Sequence, residues 1–409
     1  MFDLDLWREI FQSISKNKLR TLLSGGTVIF AIMLFAILFG LANGLQNTFN
    51  EGMGGDAENT IFINSGRTAK AGKGNQAGRR IQFDNALLST LKDEFKDDIE
   101  FITARVNKNV VASYKGEKNN YSLRAVNPDH QFIEKSELVS GRFINQRDLQ
   151  ESTKVIVIGR LVKEDLFKTE KVIGEYIDLN KIQYKVVGVY QDIGDDNEER
   201  IIYMPLTTAQ RIYGNNDFID QINLTYNLSM GLDNAIALGT NIESRIKKIF
   251  NIEPSDQRAV RLRNRATEAN SINQFNSVLA ILVLIIGLGT LIAGIVGISN
   301  IMIFIVKERT KEIGIRKALG ARPSSIQSII LIESVLITSI SGYVGLLLGI
   351  GILEAYGPSL DKYFITDPSV STNLVAMATL ALIISGFIAA YVPAKRASQI
   401  KPIIALRDE

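Results

Sequence analysis

Three segments of this chain carry residue types that could hold phosphate, a proton or a metal, and in each the spacing argues against that chemistry. The glycine-rich stretch GRTAKAGKGNQAGRR, Gly66 to Arg80, approaches the phosphate loop G-x-x-x-x-G-K-[ST]. The interval from Gly66 to Gly72 is one residue too long, and Gly74 follows Lys73 where Ser or Thr would have to reach Mg²⁺. No other segment matches, so no ATPase site and no cofactor are expected in this chain. His130 is the only histidine and sits in the turn-like NPDHQF, which favours a surface or capping role over a ligand or a general base. The acidic run DIGDDNEER, Asp192 to Arg200, lacks the calcium-loop spacing D-x-[DN]-x-[DN]-G and reads as a solvated hairpin tip. Cysteine is absent, which removes thiol chemistry and zinc–thiolate sites. Neither a catalytic residue nor a metal ligand is expected.

The chemistry that remains is recognition, concentrated in KERTKEIGIRKALGARP, Lys307 to Pro323. Glu312 precedes Arg316 by four residues and Glu308 precedes Lys311 by three, both favourable helical pairs. Gly320 can close the short helix, and Pro323 prevents its continuation. Ser324 with Gln327 fits a capping box that starts a new helix. The expected shape is an elbow: a helix leaving a membrane, a turn, a helix re-entering.

The elements that must position this elbow are apolar. No acidic or basic residue occurs from Thr21 to Asn50, from Ala269 to Val306 or from Pro368 to Ala394, and Ile326 to Leu353 carries only Glu333. Each run can span a bilayer, which takes about 20 mostly apolar residues. The expected architecture is an α-helical membrane protein with four transmembrane helices, at 21–45, 276–306, 324–353 and 373–393. A large α+β extracytoplasmic domain, 46–275, lies between the first two, with two sub-domains expected at that length. The apolar part of the first span, Leu22 to Ala42, is longer than the ~15 residues at most of a signal-peptide core, so it reads as a retained anchor. Lys and Arg concentrate before the first span, within 307–322 and after the fourth span, while the loop 354–372 holds only Lys362. By the positive-inside rule both termini and residues 307–323 are cytoplasmic. The net charge of +3 is therefore topogenic, and nucleic acid is not an expected partner.

Ahead of the first span, Trp7, Ile10, Phe11 and Ile14 recur at helical spacing, so residues 1–20 read as an amphipathic helix on the inner leaflet or as an extension of the span. In the inserted domain, strands are expected at 59–64, 106–113, 121–126, 154–158, 184–189, 201–204 and 221–225, and helices at 84–94, 159–167 and 235–250. Glu333 lies at membrane depth but only about 15 Å beyond Pro323 at 1.5 Å per residue, which favours a structural role near the headgroups over a proton relay. Small residues four apart, such as Gly345 and Gly349, predict close helix packing.

ERTKEIGIRKALGA, Glu308 to Ala321, resembles the signature of the MacB and FtsX-like family of ABC transporter permeases. PAKRASQIKPIIALR at Pro393 to Arg407 and NKLRTLL at Asn17 to Leu23 add to the resemblance, and SGRFINQRDL at Ser140 to Leu149 and VIVIG at Val155 to Gly159 extend it into the inserted domain. The span Ser24 to Gly40 departs from the family's usual wording. The resemblance implies a permease subunit in the bacterial inner membrane that transmits the ATP-driven motion of a separate cytoplasmic ABC ATPase to its periplasmic domain, for efflux or extrusion. ATP and Mg²⁺ would then belong to that partner. The docking helix would use Glu308, Arg309, Lys311, Glu312, Ile313, Gly314, Ile315, Arg316, Lys317, Leu319 and Gly320, with Ile313, Ile315 and Leu319 as apolar anchors. A second permease subunit, forming a homodimer, is implied as well, with membrane lipid around it and a periplasmic adaptor and outer-membrane channel as further candidates. Lipoprotein release is the alternative within the superfamily, and an ATP-independent membrane-anchored binding or sensing protein the alternative outside it.

Overall fold

The structure is a computed structural model that describes residues 18–51, 57–72, 74–168, 171–192 and 196–402. The expected amphipathic helix within residues 1–20 lies almost wholly outside them. The chain divides into two compact units, Met53–Asn273 and the remainder.

The membrane unit begins with α1 (Lys18–Glu51). Four helices among the described residues are long and apolar enough to cross a bilayer, in the order expected.

In the inserted domain, the elements run β1 (Thr60–Ser65), β2 (Phe83–Asp84), α2 (Asn85–Glu94), β3 (Ile99–Tyr114), β4 (Glu117–Val126), α3 (His130–Ile133), β5 (Glu137–Gly141), α4 (Gln146–Glu151), β6 (Val155–Gly159) and α5 (Arg160–Phe167). They continue with β7 (Tyr176–Leu179), β8 (Ile182–Gln191), β9 (Ile201–Pro205), α6 (Leu206–Tyr213), β10 (Phe218–Ile219), β11 (Gln221–Tyr226), α7 (Gly231–Ile249) and β12 (Val260–Asn264). The long strand β3 joins two parts of one ten-stranded sheet. Its first half extends the antiparallel set β12-β1-β11-β3, and its second half pairs with β4 and β7. Because β4 pairs with β9, β9 with β6, β6 with β8 and β8 with β7, the pairing returns to β3 and closes a barrel.

Sequence explains this closure locally. VIVIG and IIYMP are continuous apolar runs because both faces of β6 and β9 are buried. Ile156, Ile158 and Ile202 join the main core, while Val157, Ile201 and Tyr203 face a second cluster with Phe143, Ile144 and Tyr190. The motif SGRFINQRDL sets one corner. Asn145 and Asp148 form a capping box on α4, and Arg142 pairs with Asp148 at 2.6 Å. The amphipathic helix α7 buries Leu238, Ile242 and Ile246, while Ile249 near its end is exposed.

From β12 the chain runs directly into α8 (Arg265–Glu308), a helix of 44 residues. Asn264 caps it by accepting from Ala266 N at 2.9 Å, and its amide donates to the Ala235 carbonyl of α7 at 2.8 Å. After α8 come α9 (Thr310–Ala318), α10 (Pro323–Leu360) and α11 (Thr372–Ser398). A Cβ on Gly345 of α10 would stand 2.5 Å from the Ile29 carbonyl oxygen of α1, and Ser334 of α10 donates to the Gly386 carbonyl of α11 at 3.1 Å. The segment after α10 is stitched to the end of α1: Thr48 Oγ1 donates to Phe364 O at 2.9 Å and Asn43 Nδ2 to Ser369 O at 3.1 Å. α1, α10 and α11 thus pack as one body, while α8 is only 11% buried over its most apolar window against 33–39% for the other three.

Candidate functional site: the charged elbow between α8 and α10

The elbow forms because helical geometry is interrupted once and stopped once. At Arg309 the backbone turns to φ −95°, ψ 13°, while Arg309 N still bonds to Ile305 O at 3.0 Å and Ile313 N to Arg309 O at 2.9 Å. The result is a bend between α8 and α9 rather than a loop, so the helix expected from Glu308 is split there. At the other end Gly320 adopts φ +97°, a left-handed conformation that costs glycine little. Gly320 N bonds to Lys317 O at 3.1 Å and Ala321 N to Arg316 O at 3.0 Å, which is a Schellman motif. The start of α10 differs from the expected Ser324 box. Arg322 is the cap residue and Pro323 takes the first helical position, where a missing N–H costs nothing.

The elbow's side chains divide into those facing the protein and those facing out. Ile313 is buried with Ile326 and Ile330 of α10, so it is already committed to the chain's own core, and Gly314 is buried beside it. Lys317 Nζ donates to the carbonyls of Ser398 and Ile400, both at 2.8 Å. Gln327 Nε2 donates to Ser398 Oγ at 2.9 Å. Arg309 turns inward, its Nη1 3.5 Å from Oε2 of Glu333. Glu333 is buried, and pairing with Arg309 offsets part of the cost of a carboxylate at its depth. Glu312 and Arg316 form the expected i, i+4 pair at 2.6 Å. Outward stand Lys311, Ile315 and, 84% exposed, Leu319. Glu308 and Gly320 are exposed at the two ends.

The other candidates resolve differently. His130 is fully buried, which corrects the surface reading. Its polar flanks hid the fact that the first residue of a short helix can point inward. Its Nε2 lies 3.8 Å from Glu134 Oε1, an acid also approached by Arg105 at 3.2 Å and by Arg124 at 3.6 Å. Burial first, then the charges of Arg105 and Arg124, hold the imidazole well below the usual histidine range. Glu134 follows His130 by one helical turn, the spacing that could have exposed the pair in the sequence. In the acidic run, Glu199 is buried and pairs with Arg160 at 2.5 Å, and Glu198 pairs with Arg124, so the part from Glu198 on is not a solvated tip. Residues 193–195 lie outside the described set. Among the described residues no acidic or histidine cluster could hold a metal. The Gly66–Arg80 loop is pinned by Asp256, which accepts from Ala69 N at 2.7 Å and Lys70 N at 3.0 Å.

Four membrane helices, a barrel-containing α+β domain between the first and second, and a charged elbow between the second and third define a polytopic membrane protein of the ABC-permease class. The chain belongs to the MacB/FtsX-like family: residues 21–237 match the MacB-like periplasmic core domain and residues 277–402 the FtsX-like permease C-terminal region. It is 27% identical over 404 residues, 98% of its length, to the macrolide export ATP-binding/permease protein MacB of Bdellovibrio bacteriovorus, covering 61% of that protein. It is 27% identical over 406 residues to MacB of Wolinella succinogenes, covering 60%. The chain thus spans about three-fifths of the length of these relatives and aligns with their permease part. A crystal structure of the periplasmic region of MacB from Actinobacillus actinomycetemcomitans covers 54% of the chain at 19% identity, with a TM-score of 0.44.

Proposed function

We propose that the chain is the membrane subunit of a MacB-like ABC transporter, that a nucleotide-binding partner holds the ATP and Mg²⁺, and that α9 seats on that partner. The observation that carries this reading is the two-sidedness of α9. One face is spent on α10 and α11 through Ile313 and Lys317, yet Ile315 and Leu319 are left exposed beside Lys311 and the Glu312–Arg316 pair. Ile315 and Leu319 lie four residues apart and form a small apolar patch rimmed by charge, the composition of a surface that a partner covers. The Lys and Arg distribution supports placing α9 and both termini in the cytoplasm of a bacterial inner membrane, with the inserted domain in the periplasm. ATP-driven closure of the partner would displace α9 and, through the spans, the periplasmic domain, for efflux or extrusion by a dimer of permease subunits.

The test is co-expression with a candidate ATPase, comparing wild type with Gly314→Pro and Arg316→Glu. Both variants should weaken co-purification and stimulated ATP hydrolysis. If neither does, α9 is not the docking element.

A second reading, lipoprotein release, is favoured by a groove of about 420 Å³ bounded by α1, α8 and α11. Phe35, Phe39, Leu284 and Leu288 line it, and the amides Asn43 and Asn276 also face it. Photo-crosslinking from position 39 to a diacylated peptide, absent with an unlipidated one, would select this reading.

A further inference from the structure

The polar ties of α9 run to α10 and α11, while its apolar residue Ile313 shares a buried cluster with both α10 and the last turns of α8. Lys317 binds the carbonyls at the end of α11, and Arg309 pairs with Glu333 of α10. α10 and α11 are in turn locked to each other, and α10 to α1, by backbone-close contacts at Gly345 and Gly386. α8 is covalently continuous with α9 and is the least buried of the four spans over its most apolar window, with only its last turns, Ile298 to Val306, entering the buried cluster. The backbone departs from helical geometry at the residue where α8 meets α9, and that residue is Arg309 itself. A small cavity of about 40 Å³ opens there, lined by Arg309, Glu312, Arg316 and Glu333 together with apolar residues of α8 and α10. If the angle between α8 and α9 changes, the non-directional apolar contact of Met302, Ile305 and Val306 is the one that must slide, because the ion pair is fixed by charge and direction.

We propose that the Arg309–Glu333 ion pair is a hinge pin: it fixes α9 to the α1–α10–α11 body, so that a displacement of α9 moves that body as one piece and changes its angle to α8. Glu333 is then a positioning residue that acts on the docking helix through Arg309. Buried ion pairs often contribute little net stability but define a unique arrangement, which is the role assigned to this one. The proposal rests on the reading of α9 as the ATPase-docking helix.

The experiment uses the full chain in lipid nanodiscs with a co-expressed ATPase. Because the chain has no cysteine, spin labels can be placed without background at the exposed positions Ala318 of α9, Lys395 of α11 and Asn300 of α8. On adding a non-hydrolysable ATP analogue, the 318–395 distance should stay unchanged and narrow while the 318–300 distance shifts. Glu333→Gln should broaden the 318–395 distribution and lower stimulated hydrolysis roughly five-fold or more, the scale of an ordinary coupling free energy. The double exchange Arg309→Glu with Glu333→Arg should restore the narrow distribution. Equal shifts of both distances, an unchanged distribution in Glu333→Gln, or no restoration by the exchange would overturn the pin. Should Glu333→Gln fail to fold, the two wild-type distances still decide. Loss of ATPase co-purification in the wild type would sink the docking reading instead, and the nucleotide-free 318–395 distribution of Glu333→Gln would still test the pin.

Discussion

The imidazole of His130 lies edge-on to the ring of Tyr203, with centroids 5.1 Å apart and planes at 74°. Two arginines and an acid surround it, and the depressed affinity for protons follows from burial and from those arginines. The unfolded chain binds a proton at His130 below about pH 6.5, whereas the folded chain resists it. Stability from this residue is therefore complete above the unfolded value and declines as pH falls beneath it, by at most about 1.4 kcal/mol per pH unit. Thermal unfolding of the inserted domain between pH 7 and pH 5 should show the decline, and His130→Leu should flatten it.

Leu319, the residue that caps α9, and Ile313, six positions before it, should behave oppositely. Leu319→Asp touches no core and should leave the melting temperature within the ~0.5 kcal/mol range of surface changes, while weakening ATPase binding about ten-fold. Ile313→Asp places a charge among Ile326 and Ile330 and should lower membrane-unit stability by about 2–5 kcal/mol, measured by melting in detergent.

Gly345→Val should separate α1 from α10. A Cβ there meets the Ile29 backbone at 2.5 Å, and backbone cannot swing aside as a flexible side chain can. The expected cost is about 1–3 kcal/mol, while Gly351→Ala on the same helix, with nothing within 4 Å, should be neutral or slightly stabilising. Detergent melting of the two variants side by side separates steric effect from propensity.

Asp148→Ala should cost the inserted domain about 1–3 kcal/mol, because its carboxylate accepts at once from Arg142, Asn145 N and Thr153 Oγ1. Urea unfolding gives the number. Asp148→Asn, which preserves part of the cap, should lose less.

The four spans were legible because the absence of charge over 20 or more residues is a local signal, and the strand runs at 154–158 and 201–204 because both faces of β6 and β9 are buried. The barrel was not legible. It depends on β7 pairing with β3 across more than 60 positions of chain, and no residue of YIDL announces that partner. His130 was misread for a related reason: Asn127, Pro128 and Asp129 predict the turn correctly but say nothing of which way the next side chain points. At the elbow, Gly320 and the Glu312–Arg316 pair were readable from spacing alone. The inward commitments of Ile313, Lys317 and Arg309 were not, since their partners Ile330, Ser398 and Glu333 lie on other helices.

Helix α8 contains no proline in its 44 residues, whereas α10 and α11 each carry one inside, at Pro358 and Pro393. At 1.5 Å per residue it is about 66 Å long, twice the thickness of a hydrocarbon core of about 30 Å. Its first turn is clasped to α7 through Asn264, and its last ends at the bend beside Arg309. With about 36 Å of helix beyond what one hydrocarbon core can cover, α8 cannot be lipid-immersed along its whole length, so its polar first turns, Arg265 to Asn276, belong in headgroups or water.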